Sequence, residues 1–189
     1  MPQKLLFVES PNRSVSHIVY IGTFNEKGFI MKQRLNYYAK IPHIMEAVME
    51  LNKRVHESSL GNTIIDLVNI RASQLNGCTF CVDMHNKEAK IHGERELRLY
   101  HIAVWRESHL FTDKERAVLE WTEVVTRLTE KGIDDKAYEE ARAHLSEQEI
   151  SELTVMISVI NTWNRLSVAF RAQHGSMDKM MGLDKAGLE

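Results

Sequence analysis

All three prolines of this 189-residue chain, Pro2, Pro11 and Pro42, fall within its first 42 positions. Proline removes a backbone donor and clashes inside a helix, so the long remainder lacks the strongest helix breaker. Within it Gly61, Gly77 and Gly93 recur sixteen residues apart and delimit two segments of fifteen. Glycine at such boundaries supplies the left-handed or Cβ-free backbone that helix ends need. The two segments share no residue pattern, so the spacing predicts packed helices in series rather than a repeat.

Apolar periodicity fills in the elements. Pro42 suits a first helical turn, and Ile44, Val48, Leu51 and Val55 recur at helical spacing, which predicts a helix over 42–58 with that stripe inward. A second helix over 62–75 carries Ile64, Leu67, Val68 and Ala72, widened by Ile65 and Leu75, and is expected to be buried on much of its circumference. A third spans 78–92. Capping boxes at Thr112/Glu115 and Ser146/Glu149 predict two further starts. These precede Ala117, Val118, Trp121 and Val125 in one case, and Ile150, Leu153, Ile157 and Ile160 in the other. A shorter helix over 135–143 lies between them, with Gly132 expected to end the one before. Residues 14–21 are β-branched, and Gly22 and Gly28 flank a polar turn, so a short strand or hairpin is expected there.

At 43% hydrophobic and 26% charged residues, the chain fits one folded domain. A chain of this length buries roughly 70% of its unfolded surface. Lys and Arg number 24 against 26 Asp and Glu, for a formal charge of −2, and no basic block exceeds two residues. That leaves no footprint for a phosphate backbone, and no nucleic-acid partner is expected. The longest apolar run, 155–160, is broken by Ser158 and falls far short of the 18 or more residues of a membrane span. The apolar run 5–8 is likewise shorter than a secretory core of about 7 to 15 residues. A cytoplasmic protein without a membrane partner is therefore expected. In that reducing compartment two cysteines are expected to be chemical rather than structural.

The run Asn76-Gly-Cys-Thr-Phe-Cys-Val-Asp-Met-His85 places Cys78, Cys81 and His85 at i, i+3 and i+7, one face of a helix. At that spacing the cysteine Cα atoms stand about 5 Å apart, within disulfide range, so the pair can cycle between dithiol and disulfide. The free N–H groups of a first helical turn stabilise thiolate, and His85 supplies a base one turn beyond Cys81. If the second and third helices form a hairpin about Gly77, residue 66 lies level with about residue 88. Asp66 is then expected within about a turn of His85, where it could orient the ring. The same residues permit blander readings: an inert pair in a buried helix, or a Cys2His zinc site completed by Asp66 or His92. A haem attachment needs Cys-x-x-Cys-His, and position 82 is Val. His43, His56 and His144 are read as surface or cap residues, His92 and His101 as possible pocket residues, and Trp105, Trp121 and Trp163 as core.

Asp66 through His85, with Arg71, Ser73, Gln74, Asn76 and Gly77 before the two cysteines, resembles the core of the carboxymuconolactone decarboxylase family, specifically its alkylhydroperoxidase D-like branch. The similarity covers about residues 31–171, including Asn161-Thr-Trp-Asn-Arg-Leu166, so residues 1–30 are expected to be an N-terminal extension and 31–189 the helical domain. The resemblance implies an all-α bundle assembled as trimers or hexamers, and a thiol peroxidase cycle without a cofactor or metal. It implies Cys81 as the thiolate attacking a hydroperoxide, Cys78 as the resolving thiol, and His85 with Asp66 as the proton relay. An external lipoyl or thioredoxin-like dithiol would be the reductant. Asp66 stands where well-studied members carry the longer Glu, so its reach calls for a bridging water. Phe80 stands where some carry His, which favours an apolar peroxide. The alternatives are a lyase acting on a small carboxylated ring, with His85 moving the proton, and a zinc-holding or redox-sensing module.

Overall fold

A computed structural model describes residues 22–25 and 28–188. Strands β1 (Gly22–Asn25) and β2 (Gly28–Met31) pair antiparallel, Gly22 opposite Met31 and Asn25 opposite Gly28. The strand expected over 14–21 lies outside the described residues, and the hairpin that forms uses the segment expected to be its turn. All other regular structure among the described residues is helical. It comprises α1 (Tyr37–Lys40), α2 (Pro42–His56), α3 (Asn62–Leu75), α4 (Thr79–Ile91), α5 (Glu96–His101), α6 (Asp113–Thr126), α7 (Asp135–Arg142), α8 (Glu147–Phe170) and α9 (Asp178–Met181). Two 3₁₀ segments, Ile102–Glu107 and Leu183–Ala186, complete it. The fold is all-α with one small hairpin. Among the described residues no helix is long and apolar enough to cross a membrane.

Gly77 takes φ 65°, a left-handed turn that a β-carbon would oppose, and there the chain reverses from α3 into α4. Both capping boxes form: Thr112 and Ser146 accept from the backbone N–H groups of Glu115 and Glu149, whose carboxylates reach back to the cap amides. Gly132 does not end α6, which stops at Thr126; it closes a turn back to Thr129 six residues further on.

Helix α3 is the centre of the molecule, and its apolar pattern is broad because it serves two cores. Ile64, Ile65, Val68 and Ala72 join Val118 and Trp121 of α6 and Leu153, Ile157 and Ile160 of α8. Leu67 and Ile70 face the other way, toward Ala89, Leu99, Ile102, Trp105 and Leu119. The inward face of α2 differs from the expected stripe. Met45 and Val55 are buried, whereas Ile44 and Leu51 are nearly half exposed. The inward face runs through Met45 in place of Ile44, while Val55 keeps its expected place.

Candidate active site

Cys78 is the N-cap of α4, and its Sγ accepts the Cys81 N–H at 3.3 Å. The two cysteines are joined by a disulfide with Cα atoms 5.3 Å apart, and both are almost completely buried. The cysteine pair thus sits at the cap and first turn of α4, where the helix N-terminus and its dipole favour a sulfur anion once the pair is reduced.

What holds this turn in place is a polar seam buried against α8. The Asn76 amide donates to the side-chain oxygens of Asn161 and Asn164, both at 2.9 Å, and Asn164 donates to the Ser73 hydroxyl at 3.0 Å. The Cys78 N–H bonds the Ser73 carbonyl at 3.0 Å. Arg71 reaches across to Glu123 of α6 at 2.7 Å, and Glu123 also accepts from Trp105 and Arg106. Residues 71–77 and 161–164 therefore act as scaffold that fixes the height of α4 against α3 and α8.

His85 lies one turn past Cys81, and its Nδ1 is 2.6 Å from Glu88 Oε2. A carboxylate only accepts, so the shared proton sits on Nδ1 and leaves Nε2 as the basic nitrogen, with no hydrogen-bond partner among the described residues. Burial works against ionising Glu88, but the hydrogen bond from His85 and the electrostatic pull of the His85, His56 and His92 rings hold it below the usual carboxylate range. Cys81, His85 and Glu88 share one helix face.

Asp66 does not hold the His85 ring. Its carboxylate bonds His92 Nδ1 at 2.8 Å, about a turn further from Gly77 than the hairpin count suggests. Side chains lean toward the N-terminus of their own helix, so in an antiparallel pair Asp66 leans away from the turn while His92 leans back to meet it. Burial pushes the Asp66 carboxyl up, only partly offset by His92. His85 acts on it through space alone. His101 bonds Ser108 instead of lining the pocket. Among the described residues no group of three or more His, Cys, Asp or Glu is arranged to hold a metal ion.

Cys81, His85 and Glu88 form one wall of a cavity of about 560 Å³, whose remaining lining is mainly Tyr37, Tyr38, Met49, Phe80, Met84, Ile160, Trp163 and the methionines 177, 180 and 181. No lysine or arginine is among its lining residues. Trp105 and Trp121 are core as expected; Trp163 is partly buried, packed against the core at the edge of this cavity, with its Nε1 bonded to Asn52. His56 and Asn69 also line it. Cys78 faces a second cavity of about 280 Å³, bordered by Arg171 and His174. Sequence reasoning passed over Glu88, although a carboxylate at i+3 from His85 was visible. It also passed over Asn69, the middle member of a polar Asp66, Asn69, Ser73 seam at i, i+3, i+7 in an otherwise apolar helix. His56 carried no local signal, because only packing brings α2 to α4.

Residues 42–124 match the model of the carboxymuconolactone decarboxylase family. Over 139 residues the chain is 39% identical to the uncharacterized protein YdfG of Bacillus subtilis, covering 74% of this chain and 95% of that protein. The chain belongs to the carboxymuconolactone decarboxylase family. A crystal structure from Agrobacterium tumefaciens matches at 48% identity and a TM-score of 0.73, over 76% of this chain and 98% of that one. That protein is of unknown function, with an AhpD-type role in antioxidant defence suggested for it. The debrominase Bmp8 matches at 19% identity and a TM-score of 0.66, over 78% of this chain and 79% of that one, a likeness of fold alone. The AhpD-type helical fold thus carries the paired cysteines of this family member.

Proposed function

We propose that the chain is a thiol-dependent peroxidase that cycles Cys78 and Cys81 between dithiol and disulfide while reducing an organic hydroperoxide. The observation that carries this reading is the placement of Cys81 and a carboxylate-oriented His85 on one wall of a mostly apolar cavity. In the dithiol form His85 Nε2 takes the Cys81 proton. The thiolate attacks the terminal oxygen of R–O–OH, an S–O bond forms, the O–O bond breaks, and the departing alkoxide takes the proton from His85 as R–OH. Cys78 then attacks the Cys81 sulfenic acid, forming the disulfide and releasing water, so both electrons come from the two thiols. An external dithiol restores the pair and leaves oxidised. Attack on Cys78 from its own cavity would release Cys81 as a thiolate beside His85.

The absence of lysine and arginine from the described cavity lining, together with the Glu88 carboxylate there, disfavours a carboxylated ring as substrate. Thiol titration before and after one equivalent of organic hydroperoxide tests the peroxidase reading. Two thiols per chain should disappear and return on adding a small dithiol, and Cys81→Ser should abolish peroxide consumption. Thiols that survive the peroxide, or a Cys81→Ser protein with wild-type turnover, overturn it.

A further inference from the structure

The cavity beside Cys81 contains a polar side chain that the redox steps above leave unused. Asn69 of α3 is 1% exposed, and neither its amide oxygen nor its amide nitrogen has a hydrogen-bond partner among the described residues. The same holds for His85 Nε2, which lines the same cavity. Buried amides in folded proteins are nearly always paired, and an unpaired one is destabilising compared with an apolar residue of the same shape. The other members of this polar seam of α3 are bonded inside the protein, Asp66 to His92 and Ser73 to Asn164, which leaves Asn69 as the unpaired one of the three among the described residues.

We propose that Asn69 is a ligand-contacting residue, whose amide holds the polar head of an uncharged organic molecule while the molecule's apolar body lies along the methionine and aromatic wall. The chemistry of the lining sets these terms. An amide both donates and accepts, and His85 Nε2 accepts, so the head that satisfies both carries an O–H and lone pairs together, as a hydroxyl or hydroperoxyl group does. An anionic head would meet the Glu88 carboxylate and no lysine or arginine among the lining residues. The apolar body takes its place against Met84, Ile160 and Trp163. The proposal rests on the reading of this cavity as the place where Cys81 meets its substrate; under it the hydroperoxyl group is the head, and Asn69 sets its position before Cys81 attacks.

The disulfide form cannot react with an alcohol, so 2-phenylpropan-2-ol and isopropylbenzene, matched in apolar body and differing in the hydroxyl, serve as probes. Binding is followed by calorimetry and by the change in tryptophan fluorescence, to which Trp163 contributes as the one tryptophan among the cavity-lining residues. In Asn69→Leu, alcohol affinity should fall about tenfold while hydrocarbon affinity holds or improves, and Tm should rise because the unpaired amide is gone. Benzoate should bind the wild type at least tenfold more weakly than the alcohol. An unchanged ratio of alcohol to hydrocarbon affinity in the variant, or no alcohol binding to the wild type, overturns the proposal. Asn69→Ala provides the same comparison if Asn69→Leu lacks a native circular-dichroism spectrum. Cumene hydroperoxide consumption by the wild type is measured in parallel. Loss of consumption with the alcohol preference intact sinks the peroxidase reading and leaves the Asn69 contact standing, and the opposite pattern sinks the contact alone.

Discussion

His85 is one side chain with two candidate carboxylates nearby, and geometry assigns them different work. Glu88 receives the Nδ1 proton at 2.6 Å, whereas Asp66 is committed to His92. Replacing Glu88 with Gln keeps the shape but lets the ring turn or change tautomer, so under the proposed peroxidase reading kcat should fall by about 10²-fold, the scale of a lost general base. Asp66→Asn should leave kcat within a few-fold of wild type. Steady-state assays of the two variants decide between them, and a larger loss in Asp66→Asn would return the relay role to Asp66. The two also differ in pH response. Glu88 lies below its ordinary value when folded, so the stability it contributes is present above about pH 4.5 and disappears as pH falls through its lowered value. Asp66 lies above its ordinary value when folded, so its contribution is full below about pH 3.8 and is lost as pH rises through the raised value.

At the scale of elements, the capping boxes are more than local stops. Glu149 caps α8 while its carboxylate pairs with Lys114 in the first turn of α6, so one side chain ties two helix starts together. The Lys114 ammonium and the Ser146 amide hold that carboxyl down to about 2. Its contribution is therefore complete above about pH 4.5 and is lost as pH falls toward 2. Glu149→Gln should cost about 0.5–1 kcal/mol at neutral pH, with the difference from wild type vanishing in acid, as read by urea denaturation across that range. A constant difference down to pH 2 would contradict the assignment. Both boxes were legible in the sequence because a capping box is a four-residue pattern. The inward face of α2 was not, since Ile44 and Met45 are both apolar and only the neighbouring helices choose between them.

On the scale of the whole molecule, the redox turn depends on a helix nearly ninety residues away in sequence. Asn164 is fully buried and links Ser73 and Asn76 to α8. Truncation to Ala leaves those partners unpaired in the interior, so Asn164→Ala should lower unfolding free energy by about 2–4 kcal/mol and, under the proposed function, weaken peroxide turnover as α4 shifts. Chemical denaturation checks the first, and a loss under 0.5 kcal/mol would mean that the seam is dispensable. What chain order could state, it stated through short-range rules: helix starts from caps, a chain reversal from Gly77, and one helix face bearing Cys81 and His85 from a 3.6-residue period, whereas Cys78, expected on that face, is the extended N-cap and borders the other cavity. Those relations span only a few residues and need no knowledge of packing. Which carboxylate turns His85, how deeply Asn69 is buried and where His56 lies were decided by the docking of α2, α3, α4 and α8. Side-chain lean and helix register shift contacts by a full turn, and periodicity within one helix carries no information about its height against another.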